Sequence, residues 1–266
     1  MSWWCSARGT PWDWSWQPYP GVWLCVLLLV AGYAASVRHA KRSGAPEDAH
    51  PWSFAAGVIA FWLAADWPVG PLGTGYLASV HTVQYIVFSM LVPPLLLYGL
   101  PTALFRSLAG NPWFAPLVQL LTRPLMAFVI FNTVLVATHL PAVVDGLKVT
   151  QVGAFAVDMA WLGAGLLFWW QVLGRVAELD PLPIPGRIVF VLLNVFIPTV
   201  PAAFLTFADY PIYAVYELAP RMSHLSAAED QQLAGLIMKI VGGFTLFGTA
   251  SVLFFRWYAK EEGEIF

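Results

Sequence analysis

The stretch SVHTVQYIVFSMLVPPLLLYGLP, residues 79–101, contains no Asp, Glu, Lys or Arg. A helix of about 20 mostly apolar residues is what crossing the hydrocarbon core of a bilayer requires. Six more stretches on either side share this character, roughly 21–37, 51–67, 124–143, 151–173, 187–207 and 232–257. Each must be helical, because lipid offers the backbone no donors or acceptors. The whole chain agrees: 59% of its 266 residues are hydrophobic and only 11% charged, against about 45–50% and 25% in a soluble chain. So few charges cannot build a water-facing shell, which excludes a soluble enzyme and a disordered chain. A net charge of -2 offers no basic surface to nucleic acid. Cys5 and Cys25 alone give no disulfide framework and no paired-thiol metal motif. The expectation is an all-α polytopic membrane protein with seven transmembrane helices.

Lys and Arg in the connections set the orientation. With the N-terminus outside, Arg38, Lys41, Arg42, Arg106, Arg123, Arg175, Arg187, Arg256 and Lys260 fall inside, and only Arg8, Lys148 and Arg221 fall outside. Nine against three predicts N-out and C-in. The chain then divides into a Trp-rich outer interfacial segment (1–20), one seven-helix domain (21–260) and a cytoplasmic tail (261–266). Ser226-Ala-Ala-Glu229 matches a capping box and predicts the start of the last helix. Asp230 then falls in its first turn, where negative charge suits the helix dipole. Pro93-Pro94 and Pro198 with Pro201 predict breaks in the third and sixth spans.

Ionisable groups at membrane depth are expensive and are candidates for function. In this topology they gather toward the outer side: His81, His139, Asp158, Asp66 and Asp209 at or near outer helix ends, and Lys239 near the outer end of the last span. His81, Gln84 and Tyr85 stand at i, i+3 and i+4 and share a helix face. Imidazole suits copper, zinc and iron, and thioethers such as Met159 and Met238 add softness for Cu(I). The other readings are plain ones. Each histidine can be a hydrogen-bonding staple between helices, Asp158 can be paired with Lys239 or a histidine, and Lys239 can snorkel to the interface.

Residues 79–101 resemble the signature of the CtaG family of seven-helix cytochrome c oxidase assembly proteins, which reads approximately S-x-H-M-x-Q-H, an apolar run, P-P-L-L and G-x-P. THLP (138–141) resembles the family's W-H-x-P, and GLLFWWQVL (165–173) its G-x-L-F-W-W-P-V. PIYAVYELAPRMSHLSAAEDQQLAGLIM (211–238) resembles its P-x-Y-x-x-Y segment followed by L-S-x-x-x-D-Q-Q-x-A-G-x-x-M. The order is the same, and the resemblance covers roughly residues 20–258.

The resemblance implies a role in making active haem-copper oxidase in a bacterial inner (plasma) membrane, through maturation of its copper centre, with oxidase subunits and lipid as partners and no catalysis of its own. It carries over His81, Gln84, His139, Asp230, Gln231, Gln232 and Met238. It does not carry over every family histidine. Tyr85 replaces one in the third span, Ala154, Val157 and Asp158 stand where the fifth tends to read H-x-x-E-H, and Thr138 and Lys239 replace aromatics. The expected metal set is therefore thinned to His81, His139, Asp158 and Tyr85, with Gln84, Asp66, Asp209, Asp230, Gln232, Met238 and Lys239 as further polar-site residues. The same thinning supports an alternative, a structural subunit or scaffold of a respiratory or photosynthetic complex. A proton relay through Asp158, Lys239 and His81 ranks third, because no inverted repeat is visible.

Overall fold

A computed structural model describes residues 2–179, 182–222 and 224–265. Among these residues there are helices and no strands. In chain order they are α1 (Pro20–Arg42), α2 (Pro51–Ala65), α3 (Val69–Gly75), α4 (Ala78–Ile86), α5 (Val92–Gly99), α6 (Thr102–Gly110), α7 (Ala115–Leu121), α8 (Pro124–Thr138), α9 (Pro141–Leu147), α10 (Gln151–Leu173), α11 (Ile184–Phe196), α12 (Thr199–Phe207), α13 (Ala214–Glu217) and α14 (Ala227–Ile265). Five helices are long and apolar enough to cross a membrane: α1, α4–α5 taken together, α10, α11–α12 taken together, and α14. The count reaches seven if two bent pairs, α2 with α3 at 49° and α7 with α8 at 72°, are each one span. The short helices α3, α6 and α7 have no counterpart in the hydropathy reading.

The double proline does not break its helix. A single π-turn, Val87–Leu91, joins α4 to α5, and the Val92 amide bonds back to the Val87 carbonyl. Pro93 has no N–H for the carbonyl of Ser89 four residues earlier. That carbonyl is instead taken by the Trp169 indole of α10, which donates to it at 3.2 Å. α10 comes this close because residue 165 is glycine: a Cβ there would lie 2.5 Å from the Ser89 carbonyl oxygen and 2.7 Å from the Pro93 ring. The predicted interruption of the sixth span is present, with α11 and α12 parted around Ile197 and Pro198.

α10 lies between α5 and α8, while α14 packs against α4, α11 and α12. α1 leans on α2 at the periphery. The predicted capping box forms: the Glu229 amide donates to Ser226 Oγ (3.2 Å) and the Ser226 amide to Glu229 Oε2 (2.7 Å). Asp230, however, does more than face its own helix dipole. Its carboxylate accepts from the Ala78 amide (2.6 Å) and from Ser79, so it caps the start of α4 and docks α14 there.

Residues 2–19 contain no helix. Trp14 and Trp16 are exposed, as an interfacial belt requires, but Trp4 and Cys5 are buried in the main core with Phe54, Phe61, Tyr85 and Trp161.

Candidate functional site

At one end of the bundle α2 and α8 finish while α4, α10 and α14 begin. Here α4 contributes His81, Gln84 and Tyr85, all buried, as their i, i+3, i+4 spacing allows. The C-cap of α8 contributes His139, and α10 contributes Trp161 and Asp158. The rings of His81 and His139 lie edge to face with centroids 5.6 Å apart. Tyr85 stands 5.0 Å from His139, and Trp161 lies 5.0 Å from His81, 5.6 Å from Tyr85 and 6.2 Å from His139. Four aromatic side chains from three helices thus enclose one small volume.

The surroundings orient some of these groups and leave others unsatisfied. His139 Nδ1 lies 2.8 Å from the Leu135 carbonyl oxygen, which can only accept, so Nδ1 carries the proton and Nε2 the lone pair. Trp161 donates to Thr138 Oγ1 (2.8 Å), and the Thr138 hydroxyl donates to the Val134 carbonyl (2.6 Å). Tyr213 donates to the His139 carbonyl (2.9 Å), and Tyr216, whose ring flanks His81, donates to the Gly73 carbonyl (2.7 Å). Gln84 donates to the Ala64 carbonyl. Glycine at 73 makes room for it, since a Cβ there would lie 2.1 Å from Gln84 Oε1. Among the described residues ten buried side-chain polar atoms lack a partner. Six of them are the two His81 ring nitrogens, His139 Nε2, Tyr85 Oη, Thr82 Oγ1 and Gln84 Oε1, although the Gly73 carbonyl lies near the His81 ring and Ser89 near the Tyr85 hydroxyl, outside good hydrogen-bond geometry. Buried polar atoms are normally satisfied, so a concentration of exceptions on neighbouring residues makes this volume the candidate site.

Asp158 has a different fate from the one expected. Its partner is neither Lys239 nor a histidine but Lys148, whose ammonium lies 3.0 Å from Oδ1 while both side chains are buried. The indole of Trp4 donates to Oδ2 at 2.9 Å. Lys148, counted above as an outer-loop cation, turns inward because α9 and α10 form a tight hairpin that brings residues 148 and 158 together. Its ammonium rests 4.6 Å from the centroid of Trp161, a cation–π contact at the rim of the cluster.

The remaining candidates are scattered. Asp66 caps the end of α2 and accepts from the indoles of Trp23 (2.8 Å) and Trp62 (2.7 Å). Asp209 is exposed. In the DQQ segment it is Gln231, not Gln232, that is buried and bonded, accepting from the Ile212 amide at 2.7 Å. Lys239 donates to Thr199 Oγ1 (2.6 Å) at the α11–α12 break. Met238 is buried, and with Tyr85 it lines a separate groove between α4 and α14. Trp161, Lys148, Trp4 and Tyr216 were absent from the sequence-based set; only their position among aromatic or loop residues was visible there.

Among the described residues no group of three or more His, Cys, Asp or Glu has a metal-binding arrangement. Cys5 is not a ready thiolate: burial pushes its thiol well above the usual range, with Asp158 and Asp66 adding to the effect, and it donates to the Ala65 carbonyl. What the cluster offers is the imidazole nitrogens of His81 and His139 and the Tyr85 phenol. These donors suit copper, in a ligand set of low charge.

The fold and site define a multi-pass helical membrane protein with a buried imidazole–aromatic cluster toward one end. Its sequence matches the profile of the cytochrome c oxidase caa3 assembly factor (CtaG) family over residues 31–260, and the chain belongs to that family. It is 27% identical over 184 residues to "uncharacterized protein Mb0105" of Mycobacterium bovis and equally to "uncharacterized protein MT0111" of Mycobacterium tuberculosis. The match covers 61% of this chain, but the chain spans only 27% of the length of these curated relatives. No solved structure matches.

Proposed function

We propose that this chain assists maturation of a haem-copper oxidase by holding copper, as cargo, at the cluster of His81, His139 and Tyr85. In this reading the chain crosses a bacterial plasma membrane seven times with its N-terminus outside, so that the cluster opens toward the periplasmic side where oxidase subunits are metallated. The observation that supports it is the set of buried, unpartnered ring nitrogens and hydroxyl around Trp161. His139 is presented in the tautomer a ligand needs, with its other nitrogen fixed by a backbone carbonyl, as in ordinary metal sites. No catalytic step is assigned to the chain.

The test is copper retained by the purified protein, together with oxidase activity in cells, for wild type and for His81→Leu with His139→Leu. The reading expects copper to fall to background and oxidase maturation to drop. Wild-type protein without copper, alongside normal oxidase in the double variant, overturns it. A second reading, a non-catalytic subunit or scaffold of a larger respiratory or photosynthetic complex, is favoured by the neutralisation of Asp158 by Lys148. It expects co-purification with that complex in fixed stoichiometry, unaffected by the same two substitutions.

A further inference from the structure

Between α5 and α8 lies a segment that the histidine cluster does not use. Residues 107–122, SLAGNPWFAPLVQLLT, carry no charged side chain. These sixteen residues are too few to cross the hydrocarbon core as one helix, and Asn111 and Pro112 interrupt them after α6. α7 is bent 72° from α8, so its seven residues advance only about 3 Å along the α8 axis. With α8 across the bilayer, α7 therefore runs nearly in its plane. The segment belongs to the end of the bundle that carries Arg175, whose guanidinium takes the Leu97 and Leu100 carbonyls at the close of α5. Two residues, Leu100 and Pro101, join α5 to α6, and two more, Thr122 and Arg123, join α7 to α8. Connections this short keep the α6–α7 hairpin at the depth where the spans end.

The hairpin is tied on one side and bare on the other. On the inner side the Phe105 ring packs on Trp170 of α10 with centroids 4.9 Å apart, and Gln171 donates to the Thr122 carbonyl at 2.7 Å. A cleft of about 170 Å³ lies between these ties, walled by Leu108, Val118, Leu121, Leu166 and Leu167. Thr122 also lines it but donates its hydroxyl to the Val118 carbonyl. On the outer side Phe114, Leu117 and Leu120 are exposed, and Trp113 at the tip is 88% exposed. The first charges beyond the stretch are Arg106 and Arg123, one on each flank. Arg106 meets Glu178 at 3.5 Å in an exposed pair, which marks the water side. An in-plane hairpin with an apolar outer face, a tryptophan tip and cationic flanks suits one surroundings above others, the boundary between headgroups and acyl chains.

We infer that α6 and α7 form an interfacial element seated in the leaflet at this end of the bundle, with Trp113, Phe114, Leu117 and Leu120 covered by lipid. The inference concerns the end opposite the histidine cluster, and its failure would leave the copper reading as it stands.

The experiment uses the full chain. Trp113 or Leu117 is replaced by the photo-crosslinking amino acid p-benzoylphenylalanine, membranes of the producing cells are irradiated, and adducts on the purified chain are weighed by intact mass spectrometry. Lys41, exposed beside Glu47, carries the probe as the aqueous control. Both test positions are expected to give phospholipid adducts several-fold above that control. The same adducts are expected after reconstitution into phosphatidylcholine vesicles, where no other protein is present. A phospholipid yield no higher than at Lys41 overturns the proposal, as does crosslinking chiefly to another protein or to a second copy of the chain, or loss of the lipid adducts in the vesicles.

Discussion

The two ends of the bundle treat buried polarity in opposite ways. At the end carrying Arg175, one guanidinium closes the structure. It donates to the carbonyls of Leu97, Tyr98, Leu100 and Asp48, lies over the Tyr98 ring, and sits 3.8 Å from the Asp48 carboxylate. Asp48 in turn accepts from the Thr102 amide and hydroxyl. At the other end the backbone is equally well tied down, by Asp230, Tyr213 and Tyr216, yet the side chains at the centre have free nitrogens and oxygens. One end is closed largely by its own side chains, Gln171 Oε1 being an unpartnered exception. The other holds a bonded frame around groups whose hydrogen-bonding capacity is only partly used, as the proposed site requires.

The largest effect that probes this contrast falls on the ion pair at the frame's edge. Lys148→Met strands a buried carboxylate, and such changes are destabilising by about 3–5 kcal/mol. A sharp loss of thermal stability in detergent is expected, with recovery when Asp158→Leu is added. Little change would mean that Asp158 is not held as described. At the opposite end Arg175→Gln leaves backbone carbonyls without donors and should destabilise by about 1–3 kcal/mol, while copper retention stays at the wild-type level. Ser226→Ala removes one half of the capping box and is expected to lower stability by about 1 kcal/mol, seen in the same melting assay.

His81→Leu with His139→Leu is the sharpest discriminator despite a small stability effect. Removing buried ring nitrogens that lack partners offsets the loss of the His139 Nδ1 bond to the Leu135 carbonyl, so the melting temperature should change by little. A marked fall would identify the histidines as structural staples. The smallest expected effect is one of pH. The amide and hydroxyl of Ser226 hold the Glu229 carboxyl below its usual range, so the charged form is favoured in the folded chain. The contribution is present above the ordinary glutamate pKa and is lost as pH falls through the lowered value. Melting curves of wild type and Glu229→Gln should therefore converge in acid; a gap that persists there contradicts the assignment.

The apolar runs were legible because hydropathy is a one-dimensional property. The helix Gln151–Leu173 matches the expected 151–173, and Ala78–Gly99 differs by a residue from 79–100. The His81–Gln84–Tyr85 face was legible from helical spacing. The partners of these residues were not. Nothing local distinguishes Trp161 from the neighbouring tryptophans, and Lys148 reads as a loop cation until the α9–α10 hairpin folds it beneath Trp4. Pro93-Pro94 misled for a related reason: proline removes a donor locally, but whether the orphaned carbonyl finds another depends on a tryptophan 80 residues away.

Lys148 and Asp158 are ten residues apart on one hairpin, whereas Trp4 reaches Asp158 from 154 residues earlier. The hairpin therefore carries its own counter-ion. As it leaves the insertion machinery, the carboxylate on α10 travels with an ammonium able to neutralise it, which lowers the penalty of bringing either charge into hydrocarbon. The N-terminal indole adds a long-range bond to a pair that one hairpin already holds together.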